Sequence, residues 1–156
     1  MRTNQILKLA ILVSFATVLA SSCKKNQVAD PPFSTPFSGI SQANFMGEIL
    51  STNPDDWKPI TATGLEFRPQ CAYPNPCDAD TGFALQWYVP TTDSISLTLN
   101  DSPEHVLRTF LQLKIDSGTH YYASSLSGLQ PAIYRLYFSL IRPESTYVTY
   151  GDLQVN

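Results

Sequence analysis

From Phe45 to the end of the chain, apolar residues recur at every second position in short runs, each closed by residues that favour turns. A period of two sends one set of side chains inward and the other outward, the mark of a half-buried β-strand. Phe83, Leu85, Trp87 and Val89 alternate with Ala84, Gln86 and Tyr88 before Pro90 to Asp93 turn the chain. Ile95, Leu97 and Leu99 alternate with Ser94, Ser96 and Thr98 until Asn100-Asp101-Ser102-Pro103. Val106 to Ile115 sets Leu107, Leu111, Leu113 and Ile115 on one side and Arg108, Gln112 and Lys114 on the other. That stretch also reads at helical spacing through Val106, Phe110 and Leu113, but flanking strands and poor caps favour a strand. His120 to Ser124, Ile133 to Ile141 and Tyr147 to Val155 complete the series. Earlier, Phe45 to Leu50 and Leu65 to Gln70 read as strands on either side of a proline-interrupted loop containing Trp57. Seven or eight short strands separated by proline, aspartate and glycine turns predict an all-β fold, a single β-sandwich over residues 45–156.

Composition narrows the class. Charged residues make up 15% of the 156 positions, below the roughly 25% of an average soluble domain, and twelve prolines outnumber seven glycines. Both features argue against a helical bundle. A net charge of −3 leaves no basic footprint for a phosphate backbone, so nucleic acid is not an expected partner.

The N-terminal segment carries an address. Arg2 and Lys8 precede the apolar run Leu9 to Ala20. As a helix that run spans about 18 Å, too short for a hydrocarbon core about 30 Å thick, so export and cleavage are expected rather than a membrane span. The sequence Leu19-Ala20-Ser21-Ser22-Cys23 resembles the lipobox of bacterial lipoproteins, departing from it in Ala20, where leucine is favoured. The resemblance implies a signal peptide over residues 1–22 and a mature N-terminus at an acylated Cys23. The partner is then the membrane, through several acyl chains that together anchor stably. Loss of Arg2 and Lys8 with the leader makes the mature chain more acidic by two charges. Residues 23–44, with Pro31, Pro32 and Pro36 and no period, form a polyproline-biased tether. Phe33 and Phe37 either dock on the domain or join a first strand. Lys24-Lys25 follows the cysteine where acidic residues are common in surface-exported lipoproteins, which points to the periplasmic face of an outer membrane without fixing it.

At Ala72-Tyr73-Pro74-Asn75-Pro76 the chain resembles the YPNP-type domains of flagellar hook-assembly proteins and of type IX secretion sorting domains. The later pieces follow in matching order: Phe83 to Val89, Ile95 to Leu99, Gly118-Thr119-His120, and Pro131 to Phe138. The likeness spans about 70 residues and implies an immunoglobulin/fibronectin-like β-sandwich used for assembly. Ala132 stands where that pattern has glycine, and Tyr147 to Val155 extends past its usual end. The resemblance implies the fold and not a secretion signal.

Candidate chemistry is sparse. Cys71 and Cys77 bracket five residues in an exported chain, which suggests a disulfide; redox or metal use lacks a CxxC or a second ligand pair. Asp78, Asp80 and Gly82 resemble the opening of a calcium loop but lack its closing glutamate, so a solvated turn is the plainer reading, as for Asp55-Asp56. His105 and His120 sit on separate segments without zinc spacing, and no G-x-S-x-G elbow is present. No catalytic residue, metal ligand or cofactor is therefore assigned. Trp57, Tyr137, Tyr147 and Tyr150 are the candidate ligand-binding residues, since exposed aromatic rings stack on sugars or anchor proteins. The competing expectation packs Trp57 over the end of the core and the tyrosines into a cross-strand ladder. The leading functional expectation is a non-catalytic protein-interaction or assembly module in the cell envelope. A glycan-capturing lipoprotein comes second and a small hydrolase third.

Overall fold

A computed structural model describes residue 37, residues 39–62 and residues 65–156. The expected leader, the expected lipidation site Cys23 and the expected tether up to Pro36 lie outside the described residues. Ten strands and no helix are present among the described residues: β1 Gln42–Ala43, β2 Ile49–Ser51, β3 Ile60–Ala62, β4 Leu65–Pro69, β5 Phe83–Val89, β6 Asp93–Ser102, β7 His105–Ile115, β8 Gly118–Ser124, β9 Ala132–Arg142 and β10 Ser145–Val155. One four-stranded sheet runs β10-β9-β6-β7 and the other β3-β4-β5-β8, with all neighbours antiparallel, while β1 and β2 form a separate hairpin. The expected β-sandwich is thus observed. Its core lies where the inward positions of both sheets meet.

The period-two pattern performs as expected where a strand has neighbours on both sides. In β5 Phe83, Leu85, Trp87 and Val89 are buried, and in β6 Ile95, Leu97 and Leu99 are. Leu136, Phe138 and Leu140 of β9 lie beside the β6 residues in the first sheet and with them face β5, with Phe138 packing at 5.3–5.4 Å ring separations against Trp87 and Phe67. Each such side chain contributes about 1.5–3 kcal/mol when taken out of water. Gly82, at φ +69°, closes the turn before β5; a Cβ there would lie 1.9 Å from the carbonyl oxygen of Ser124, so the position admits no side chain.

Edges depart from the pattern. β7 has one paired neighbour, and its register against β6 shifts between Leu97 and Thr98, leaving Phe110 as an extra residue. The bulge reverses the alternation. Phe110 turns in to meet Phe83 and Tyr122, Arg108 bonds the carbonyls of Ser125 and Ser127, and Leu107, expected on the core side, is exposed. Leu113 is also exposed, at the open side of the sheet.

The fold also begins differently from the expected strand Phe45–Leu50. Ser41 and Ala43 are already buried, and β1 precedes Phe45. Asn44 then makes a tight turn: its side-chain oxygen accepts the N–H groups of Met46 (2.9 Å) and Glu48 (3.0 Å), and its carbonyl accepts that of Gly47 (3.0 Å). Side-chain capping of its own following backbone is what asparagine does in turns, and it overrides the apolar run. Within the expected loop around Trp57, Ile60–Ala62 forms β3 against β4.

Candidate functional site

The residues that hold the sheets together at one corner also shape a cleft. The segment Cys71 to Cys77 crosses from one sheet to the other. Gln70 N–H bonds Gln86 and Tyr73 exchanges two hydrogen bonds with Ala84, both on β5, whereas Cys77 N–H bonds Gln154 on β10 and the Cys77 carbonyl accepts from Asn156. Asn75 sits midway, fully buried. Its side-chain N–H groups donate to the carbonyls of Ser41 (2.7 Å) and Asp152 (2.9 Å), and its side-chain oxygen accepts Gln154 N–H (3.0 Å). One amide therefore ties chain entry, crossing and last strand together.

That crossing corrects the disulfide expectation: Cys71 and Cys77 are free thiols. The Cys71 Sγ–H points to the carbonyls of Ser41 and Ala72, and that of Cys77 to Gln154 on the other sheet. Spacing in sequence suggested a ring; the passage between sheets separates the partners. Burial pushes the Cys71 thiol up to about 12, with the Asp56 charge adding to it, and that of Cys77 up to about 11. Neither is a thiolate nucleophile at neutral pH.

Asp56, read from sequence as a solvated neighbour of Trp57, is buried. Its carboxylate accepts Ser41 N–H at 2.8 Å and Asp152 N–H at 2.6 Å. Burial raises its pKa to about 6 against the pull of those two bonds. The Asp152 side chain in turn receives Arg135 through two bonds of 2.6 and 2.8 Å, with both side chains almost fully buried on the outer face of the sheet. The guanidinium lies between the rings of Phe37 (4.6 Å) and Tyr150 (3.9 Å), a cation–π clamp that covers a charge otherwise facing solvent. Burial tends to lower the Arg135 pKa, and the Asp152 carboxylate outweighs it, so the guanidinium stays charged.

Trp57 is 7% exposed, which removes it as an open stacking platform. It adopts φ +56°, costly for a side-chain-bearing residue, and is held there by its N–H to Tyr150 (2.9 Å) and by its ring lying on Gly151. A Cβ at Gly151 would come within 1.9 Å of that ring. Thr149 fixes the same loop by donating to the Lys58 carbonyl at 2.6 Å. Nor do the three tyrosines make one binding face. Tyr137 is buried and pairs across strands with Tyr150 at a 6.1 Å ring separation, as a ladder requires, but Tyr147 lies on the opposite face of β10, across from Leu140.

Asp78 and Asp80 are exposed on a turn closed by backbone: the Asp78 carbonyl accepts Gly82 N–H (2.8 Å) and the Thr81 hydroxyl. No group of three His, Cys, Asp or Glu side chains able to hold a metal exists among the described residues. His105 bonds Asp101 at 2.8 Å, while His120 bonds the Asp116 carbonyl and stacks on Trp87. The two histidines serve separate local contacts.

Beside this corner opens a cleft of about 410 Å³ lined by Ser41, Gly47, Ile49, Thr52, Asp56, Trp57, Pro69, Gln70 and Cys71. Its ionisable groups, Asp56 and Cys71, are engaged by backbone. Its lip is the β1–β2 hairpin, where Phe45, Met46, Ile49 and Leu50 are exposed. The cleft and lip were not legible in the sequence, although a charge inside each of the apolar strands β9 and β10, Arg135 and Asp152, was a signal for the buried pair. Comparison with known protein families, curated proteins and solved structures yields no match to this chain.

Proposed function

We propose that this protein is a lipid-anchored envelope protein whose β-sandwich acts by binding, with the cleft beside the β1–β2 hairpin receiving an apolar segment of an envelope protein. The observation that carries the reading is the cleft itself. It joins apolar walls, Ile49, Trp57 and Pro69, to a few polar groups, Thr52 and Gln70, and its buried carboxyl and thiol are held by backbone atoms. The lipobox-like LASSC supports the anchor. No helix among the described residues is long and apolar enough to cross a membrane.

A photo-crosslinking amino acid at Gln70, which lines the cleft, tests this in intact cells. A discrete adduct with an envelope protein, lost on Ile49→Asp, is expected; absence of any adduct from a correctly acylated, folded protein would refute the reading.

A second reading, glycan capture, loses Trp57 but gains two other rings. Tyr121, 69% exposed, and Tyr88 point outward from the second sheet, with Gln86 directly across from Tyr121. Glycan-array binding abolished by Tyr121→Ala would favour it, and silence of the wild-type protein on the array would remove it.

A further inference from the structure

We infer that the tip of the β1–β2 hairpin is a membrane contact, seated in the interface of the bilayer that carries the acyl chains; the inference rests on the anchoring reading above. Phe45, Met46 and Leu50 are 77%, 71% and 65% exposed, and the turn is built to keep the first two there. Asn44 gathers the N–H groups of Met46 and Glu48 with its side-chain oxygen, so the outward placement of Phe45 and Met46 is fixed by directional bonds. Phe45-Met46-Gly47 carries no charged side chain, and the neighbouring, exposed Glu48 carboxylate is drawn back to the Asn44 amide at 2.6 Å at the base of the turn.

A bilayer interface asks for apolar side chains without directional partners, which is what the tip presents. A protein partner is better matched by the cleft, where polar groups lie among the apolar walls. Chain length supplies the second argument. The hairpin starts at Gln42, so a tether of about 20 residues leading from Cys23, at the roughly 3 Å per residue of a polyproline-biased segment, reaches at most about 60 Å. The anchor therefore confines the tip near the bilayer at an effective concentration in the millimolar range. Under that confinement three side chains, too few to recruit a free protein, suffice to orient an anchored one.

The test uses the full-length acylated protein in vesicles of phosphatidylethanolamine and phosphatidylglycerol, with a nitroxide attached at Met46→Cys. Cys71 and Cys77 are buried, so the label goes to position 46, and Tyr121→Cys serves as a control at an exposed position. Intact mass first establishes the acyl chains on Cys23. The collision rate with oxygen relative to a water-soluble nickel chelate is expected to rise severalfold at position 46 and to stay unchanged at 121. Phe45→Ser with Leu50→Ser should abolish the rise without altering the circular dichroism. A label at 46 as open to nickel as one at 121, in acylated protein, overturns the membrane contact and leaves the anchor standing. A label shielded from both reagents overturns it as well, assigning the tip to a second copy if seen in vesicles and to an envelope protein if seen only in native membranes. An unacylated Cys23 overturns the anchoring reading, and this inference with it.

Discussion

Two adjoining regions break the rule of apolar inside and polar outside in opposite senses. The corner at the chain's entry buries Asp56, Asn75, Arg135 and Asp152, whereas the hairpin that leaves it at Ala43 exposes Phe45, Met46, Ile49 and Leu50. The corner tolerates its charges because each meets matched partners: two backbone N–H groups on Asp56, two guanidinium bonds on Asp152 and two rings on Arg135. The hairpin tolerates its exposed side chains because Asn44 and the backbone, rather than packing, hold the turn. Stability here is directional and polar, and the apolar surface beside it is left free for contact.

The largest effect is expected from separating the buried ions. Arg135→Met strands the Asp152 carboxylate and should cost about 3–5 kcal/mol in chemical denaturation, while adding Asp152→Leu should restore most of it. If the single variant is neutral, the corner is not held by charge. Asn75→Ala removes three side-chain bonds at once and should lose about 3 kcal/mol, measured the same way.

The pH dependence sharpens the contrast. The folded-state pKa of Asp56, about 6, lies above its ordinary value of 3.8, so the fold binds this proton more tightly than the unfolded chain does. Its contribution is fully present below pH 3.8 and fades as pH rises through 6, a swing of up to about 3 kcal/mol. Asp93 opposes it at the acid end: the hydrogen bonds and charge of Arg142, at 2.8 Å, hold its pKa below the usual range, and that stability is lost as pH falls below 3.8. Denaturation of Asp56→Asn across pH 4 to 7 should show a flattened slope; an unchanged slope would assign the titration elsewhere.

Thiol titration is predicted to find Cys71 and Cys77 unreactive in the folded protein and both reactive in denaturant without reductant. A bridged pair would stay silent in both. The smallest effect belongs to the hairpin: Phe45→Ser should change stability by no more than about 0.5 kcal/mol, since the side chain contacts mainly solvent. A larger loss would mean that the tip packs on the domain.

Where two neighbours fix a strand, the alternation in the sequence was sufficient, and the expected strand Phe83–Val89 coincides with β5. It failed at β7, because unpaired residues at Phe110 and again at Leu107 shift the register and reverse the alternation, and they leave no trace in composition. It failed again at Phe45–Leu50, where one asparagine converts an apolar run into a turn. The candidate site was less legible still. Trp57, Asp56 and Asn75 each have ordinary sequence neighbours, and their roles come from contacts with Tyr150, Asp152 and Gln154 of β10, which lie 93, 96 and 79 positions away.

The sequence by itself determined that this chain folds as two packed antiparallel layers, since side-chain periodicity and turn residues act within a few positions of one another. Only the tertiary structure decided which polar residues go inside, which thiols stay apart and which apolar residues remain in solvent. Those outcomes depend on partners distant along the chain, and a carboxylate, an amide or a thiol is stable in the interior only once its partners have arrived.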